Sequence, residues 1–267
     1  MPEGQVSHRN AIVLTRAIAG EPLLRVDSPE PRLAPQRIPE RLAGDVLERM
    51  DARGKHHLFR FRSGRVLHSH LRMGGTWRAY PPGAEVPPRG LWLALVTARA
   101  TVAQYRGPVL TLLEPGEPLP QVDALGPDLL AEGADPTAIG ARLLQVEPAR
   151  QVGEAIMDQR VMSGIGNVYK SETLFLAGVD PWRAAGTLTP AEAGDIGRIG
   201  AELLATGVAD RSRIRTYRPP LGTARPGERT WVYGRRGRPC RRCGTPVRSR
   251  GQGDANRTTY WCPACQG

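Results

Sequence analysis

Cys240-Arg241-Arg242-Cys243 and, after eighteen further residues, Cys262-Pro263-Ala264-Cys265 use every cysteine in this 267-residue chain. Two closely spaced thiolate pairs joined by a hairpin-length segment make the tetrahedral sulfur cage of a structural zinc ribbon. The rival reading, two disulfides, belongs to an oxidising compartment, and the chain opens without the basic-then-apolar pattern of a secretory signal. Four protein ligands leave no open coordination position, so the one expected Zn2+ folds a module and does not catalyse. No organic cofactor is expected. Arg248, Arg250 and Arg257 fall on the hairpin between the pairs, and Asn256-Arg257 puts a guanidinium at its turn, suited to a phosphate.

Working outward, the charge around the ribbon sets the class of partner. From Arg211 to Gly267 there are 14 arginines and no lysine, with only Glu228 and Asp254 as acids. The chain as a whole carries +11, so the first 210 residues are close to neutral. Positive charge concentrated in one fifth of a chain is the footprint of a polyanion binder, with nucleic acid as the default. A membrane surface is the alternative, but no amphipathic apolar helix accompanies the charge. No apolar run approaches the ~20 residues that span a bilayer. A cytoplasmic protein is expected. Lys55 and Lys170 are the only lysines among 37 basic residues, which hints that a titratable ammonium is needed at those places.

With 40% hydrophobic residues the chain can bury two domains and a small module. Residues 5–19 read as an amphipathic helix with Val6, Val13, Leu14, Ala17 and Ile18 on one face and Gly20 as its stop. Short strand-like runs follow: Leu58–Phe61, Val66–His68, Leu91–Val96 and Val109–Leu112. They are broken by turn residues such as Pro81-Pro82-Gly83 and by a loop over Glu114–Pro120, which suggests a β-sandwich or barrel. Helical patterning then takes over at Gln151–Gln159 and at Asn167–Ala177, the latter closed by Gly178 and Pro181. A third helix carries a capping box, with Thr189 at N-cap, Pro190 at N1 and Glu192 at N3, and Gly207 is expected past its end. Arg211–Arg238 reads as a basic linker. In Ser163-Gly164-Ile165-Gly166-Asn167-Val168-Tyr169-Lys170 the glycines make a tight turn and Asn167 is the expected N-cap, leaving N–H groups able to cradle a phosphate.

Met1-Pro2-Glu3-Gly4 is an ordinary way to begin a protein, yet it also carries chemistry. Once Met1 is removed, Pro2 presents a secondary amine that titrates near ~7.7–8.0 and can attack an electrophilic carbon to give an iminium. Glu3 beside it can give or take a proton.

Pro2-Glu3-Gly4, Gly54-Lys55, His70-Leu71-x-Met73, Gly164-Ile165-Gly166-Asn167 and the ribbon ending Tyr260-Trp261-Cys262-Pro263-x-Cys265-Gln266 closely resemble, in order, the formamidopyrimidine-DNA glycosylase/endonuclease VIII family. Leu125-Gly126-Pro127-Asp128 and Val232-Tyr233-Gly234-Arg235 fit as well, so the resemblance covers essentially the whole chain. It implies an α+β protein: an N-terminal β-sandwich with an N-terminal helix (residues 1–123), a helix-two-turns-helix domain (124–228) and a zinc ribbon (229–267), with double-stranded DNA between the lobes. By the same resemblance the Pro2 amine attacks C1′ of a flipped, damaged nucleotide, Glu3 protonates the sugar-ring oxygen and Lys55 assists. Asn167, Arg257 and His70 hold phosphates, Tyr169 and Lys170 join the DNA-contacting set, and Met73 fills the gap left by the flipped base, with Arg72 or Tyr105 as alternatives. The implied activity is a bifunctional glycosylase and abasic-site lyase acting as a monomer on the bacterial nucleoid. The Pro-Glu-Gly opening and the Tyr-Trp pair point to the endonuclease VIII side and to oxidised pyrimidines. Formamidopyrimidine or 8-oxoguanine removal is the alternative within the family, and non-catalytic binding of damaged DNA the alternative outside it. Two departures stand out. Val6 occupies the place of a second acid often seen after Glu3, and Thr101–Leu113 lacks the Asp-Pro-Arg-Arg-Phe-like insertion of the 8-oxoguanine enzymes.

Overall fold

A computed structural model describes residues 2–210, 216–219 and 228–267. Met1, 211–215 and 220–227, and with them much of the stretch read as a basic linker, lie outside the described residues. The chain separates into two units, Met1–Asp123 and Ala124–Gly267.

The first unit begins with helix α1 (Gly4–Ile18), which Glu3 precedes as N-cap. Ala19 leaves the helix in an extended conformation, and Gly20 follows with φ +83°, the left-handed turn that glycine adopts without a Cβ penalty. Leu14 and Ile18 are buried in the core, while Val6, Ala11 and Ala17 pack at its edge. Val13, expected on the apolar face, is instead 43% exposed, because helical spacing rotates it past that stripe toward solvent.

After α1 come β1 (Arg25–Asp27), α2 (Ile38–Leu42), β2 (Leu47–Arg53), β3 (His56–Phe61), β4 (Val66–His70), β5 (Thr76–Tyr80), β6 (Leu91–Val96), β7 (Thr101–Tyr105), β8 (Val109–Leu113) and the single turn α3 (Pro120–Asp123). They build two four-stranded antiparallel sheets in the orders β1-β6-β7-β5 and β2-β3-β4-β8. Phe59, Phe61 and Leu67 from one sheet meet Trp77, Leu93, Leu95 and Val102 from the other in a single apolar core, which makes the unit a β-sandwich.

The second unit contains α4 (Pro136–Ala141), α5 (Val152–Ala155), α6 (Asn167–Ala177), α7 (Pro190–Ala209) and the hairpin β9 (Arg248–Gln252) and β10 (Arg257–Trp261). α4 and α7 pack backbone to backbone. A Cβ at Gly197 would lie 2.0 Å from the Pro136 carbonyl oxygen, so only glycine permits that approach. The capping box forms as read, with the Thr189 hydroxyl accepting from Glu192 N and the Glu192 carboxylate accepting from Thr189 N. Gly207 does not end the helix but lies buried within it, since packing outweighs the ~1 kcal/mol glycine penalty. The helix expected over Gln151–Gln159 shrinks to α5. Beyond Ala155 the chain tightens into i→i+3 turns, and the Asp158 carboxylate draws in Arg160 N at 3.0 Å.

Candidate active site

In the first unit the chemistry-bearing residues come from the start of α1 and from the β2–β3 and β4–β5 connections. Pro2 is half-buried and Glu3 fully buried. The Glu3 carbonyl accepts Val6 N at 2.9 Å to open the helix, while its carboxyl makes no capping bond to that helix. Lys55 is half-buried in the two-residue turn between paired Arg53 and His56. Gly54 takes φ +56° at the first turn position, as a tight hairpin of this length requires.

His70 ends β4 opposite His56. Its Nδ1 accepts Arg72 N at 3.1 Å, and Arg72 itself sits in left-handed backbone at φ +49°. With Nδ1 committed as acceptor, a neutral His70 carries its proton on Nε2. Burial first, and then the charges of Arg72, Lys55 and His68, push His70 down to about 4, so the ring is a neutral donor at physiological pH. Around it, His56 Nδ1 and His68 Nε2 lie 2.8 Å apart. Burial and the neighbouring imidazoles hold His56 near 3, and burial holds His68 near 4. The fully buried His57 ties α1 to this sheet through Asn10 Nδ2 at 3.2 Å and Ser69 O at 3.3 Å. Met73, three residues past β4, is 63% exposed. Tyr105, by contrast, is buried with its hydroxyl 2.8 Å from that of Tyr80, which removes it as a gap-filling side chain.

In the second unit Gly166, not Asn167, is the N-cap of α6. Asn167 is the first helical residue, and its side chain reaches across to the ribbon, where Nδ2 donates to Thr258 O at 2.8 Å. Its Oδ1 is buried without a hydrogen-bond partner. Tyr169 and Lys170, expected to contact DNA, are instead buried. Lys170 Nζ donates to Thr259 Oγ1 at 2.6 Å, so this ammonium holds the ribbon hairpin to α6. The reasons differ: the hairpin covers Lys170, and Tyr260 N donates to the neighbouring Ser171 Oγ at 3.3 Å, whereas Tyr169 packs into the helical core with Leu129, Ile165 and Leu174. Arg257 is exposed at the start of β10, directly after Asn256 at φ +46°. Arg250 stacks on Trp182, with its guanidinium carbon 3.8 Å from the ring centroid.

One structural residue had escaped the sequence reading. Glu172 on α6 is fully buried, and its carboxylate accepts Trp231 N (2.7 Å), Val232 N (2.9 Å), Tyr233 N (2.8 Å) and the Thr216 hydroxyl. Burial pushes its pKa up, and these donors work against that rise. The segment Trp231–Arg235 is therefore packed onto α6 rather than being part of a linker. The only sequence signal is a lone acid in the middle of the helix, between Ser171 and the apolar run Leu174–Ala177.

The four cysteine sulfurs lie within 4.8 Å of one another, the one such group of metal-binding atoms among the described residues. Sγ pairs at 3.4, 3.5 and 3.9 Å are far from the ~2.05 Å of a disulfide. They match the ~3.8 Å edge of a sulfur tetrahedron around a metal at ~2.3 Å. The donor set fits a tetrahedral thiophilic ion, held by Cys240, Cys243, Cys262 and Cys265.

Two family models match the chain: the formamidopyrimidine-DNA glycosylase N-terminal domain over residues 1–108 and the formamidopyrimidine-DNA glycosylase H2TH domain over 125–218. A Streptomyces coelicolor protein named probable endonuclease 8 2 is 42% identical, over 100% of this chain and 94% of its own. A Mycolicibacterium smegmatis protein named DNA-(apurinic or apyrimidinic site) lyase Nei2 is 38% identical, over 100% and 99%. A Lactococcus lactis Fpg variant solved with Fapy-dG-containing DNA shares the fold at a TM-score of 0.82 and 24% identity, covering 99% of both chains. On these matches the chain belongs to the formamidopyrimidine-DNA glycosylase/endonuclease VIII family.

Proposed function

We propose that this protein is a bifunctional DNA glycosylase and abasic-site lyase that excises oxidised bases, pyrimidines in preference. The observation that carries the proposal is a fully buried carboxyl, Glu3, beside the half-buried Pro2 at the start of α1. With Met1 removed, the Pro2 nitrogen attacks C1′ of a flipped nucleotide. Glu3 delivers a proton to the ring oxygen O4′, which opens the sugar as the base departs. The resulting iminium acidifies the C2′ protons, and loss of one expels the 3′ phosphate and cuts the strand. Lys55 supports proton movement or binds a phosphate at this site.

Asn167, Arg257 and neutral His70 supply donors to the phosphates around the lesion, and Met73 takes the space of the flipped base. Lys170 acts by holding the ribbon hairpin to α6, and Tyr169 by packing the helical core beside it. The bound metal is one Zn2+ on the four cysteines, and it supplies a structural cross-link. This reading divides the second unit into a helix-two-turns-helix part (124–228) and a ribbon (229–267). It makes the protein a cytoplasmic, nucleoid-associated monomer on double-stranded DNA. The preference for pyrimidines rests on the Pro2-Glu3-Gly4 opening and on Tyr260-Trp261.

The test is incision of duplexes carrying one oxidised pyrimidine, 8-oxoguanine or formamidopyrimidine, with wild-type protein and with the double variant Pro2→Gly/Glu3→Gln. The oxidised pyrimidine should be cut fastest, and the double variant should cut nothing while still binding. Damage-specific incision by the double variant would refute the assigned chemistry. Fastest cutting of 8-oxoguanine would move the substrate to the purine side of the family.

A further inference from the structure

Ser69, Trp77 and Gln104 form a polar cluster inside the apolar sandwich, and all three are buried. They come from both sheets: Ser69 from β4, Trp77 from β5 and Gln104 from β7, where Gln104 is the cross-strand partner of Trp77. Gln104 Nε2 donates to Ser69 Oγ at 2.9 Å, and Trp77 Nε1 donates to the same oxygen at 3.2 Å. Ser69 stands just before, and Trp77 just after, the connection 71–75 that passes from one sheet to the other and carries Arg72 and Met73. The cluster therefore clamps both stems of that loop. The Gln104 amide also fills the place a side chain would take at residue 107, since a Cβ on Gly107 would lie 2.0 Å from Nε2. Gly75, at the end of the loop, packs in turn on Gly107: a Cβ on Gly75 would lie 3.1 Å from Gly107 Cα. Neither glycine has a positive φ, so close approach and not backbone conformation calls for glycine here. Stability alone does not account for the arrangement. Gln104 Oε1 is buried without a hydrogen-bond partner, a cost that an apolar side chain of the same length would avoid. A polar group kept in an apolar core at such a cost is accounted for by the geometry it fixes.

We propose that Gln104 is a positioning residue for duplex DNA: through Ser69, Trp77 and Gly107 it holds the 71–75 loop as a rigid wedge that presents Met73 to the gap left by the flipped nucleotide. The use of the wedge rests on the role given to Met73 in the proposed function; the clamp on the loop does not. In a single strand there is no opposite base and no stack to hold open, so the wedge is dispensable there.

The test compares the full-length wild type with Gln104→Met, which keeps the length of the side chain and removes its amide. Within the loop, Arg72 N bonds to His70 Nδ1 at 3.1 Å and Gly75 N to Leu71 O at 3.0 Å. In the variant these two amides should exchange with deuterium at least about tenfold faster, with β6 unchanged and thermal stability unchanged or higher. Incision at an abasic site in duplex DNA should fall at least about tenfold in kcat/KM, since misplacing a positioned group by ~1 Å costs up to ~10²-fold. Incision of the same strand without its complement should stay within about twofold of the wild type. Unchanged loop exchange in folded Gln104→Met, or equal losses on duplex and single strand, would overturn the proposal. Ser69→Ala breaks the clamp from the other sheet and decides the matter if Gln104→Met fails to fold. If neither variant folds, the cluster is a structural element only and the proposal falls. A wild type that incises neither substrate defeats the proposed function and leaves the exchange result to judge the clamp.

Discussion

Asn167 shows how one residue serves two ends. One amide N–H is spent on Thr258 O at 2.8 Å, which fixes the side chain; the proposed phosphate contact would fall to the other N–H. Arg257 stands one residue before Thr258 on the same strand and is exposed. A guanidinium that neutralises a phosphate releases counterions, so Arg257→Ala should lower the slope of log affinity against log salt by ~0.9. Binding isotherms on abasic-site duplex at several salt concentrations measure it; an unchanged slope takes Arg257 out of the phosphate contacts. At this scale the sequence discloses residue chemistry better than residue position. Pro2, Glu3 and Lys55 are ordinary taken singly and are picked out only together, through the order of motifs that carries the resemblance. The burial of Lys170 is not legible, because the hairpin residue it bonds lies 89 positions away and no local pattern reports that contact; Tyr169 is claimed instead by the helical core.

Among the elements, α7 is the most completely specified by its own sequence. The Glu192 carboxylate accepts Thr189 N at 2.8 Å and pairs with Arg183 at 2.6 Å. Arg183, and then the Thr189 N–H, hold it down to about 2, below its ordinary 4.5. A carboxyl with a depressed folded pKa stabilises the fold above its unfolded pKa and loses that effect as pH falls through the folded one. Glu192→Gln should therefore cost about 1 kcal/mol at neutral pH. The deficit should shrink between pH 4.5 and about 2 in denaturant titrations against wild type, and a deficit constant with pH would contradict this origin. Other elements were less legible. β7 is buried at every position and so shows no alternation, and β2 carries Glu48, Arg49, Asp51 and Arg53, which hide its strand character in ion pairs such as Arg49–Asp51. α5 was overextended because Gln151–Gln159 has helical spacing, and only the Asp158–Arg160 turn reveals the break.

For the whole molecule, the ribbon is what completes the second unit. Lys170 to Thr259, Asn167 to Thr258 O and Gln266 Nε2 to Val179 O at 2.9 Å all depend on its fold. Structural zinc contributes ~10–16 kcal/mol of apparent folding energy in such modules. Chelation should therefore reduce affinity for abasic-site duplex at least about tenfold, and Zn2+ but not Mg2+ should restore it; affinity indifferent to chelation would deny the metal its structural role. The central claim concerns the other end of the chain, where Pro2 becomes a nucleophile only when Met1 is gone. Borohydride trapping on abasic-site DNA, with the intact mass of the same preparation, tests it most directly. The account predicts a mass beginning at Pro2 and a covalent protein–DNA adduct that disappears in Pro2→Gly. Protein shown by mass to begin at Pro2 that forms no adduct, or an adduct that persists in Pro2→Gly, would contradict it.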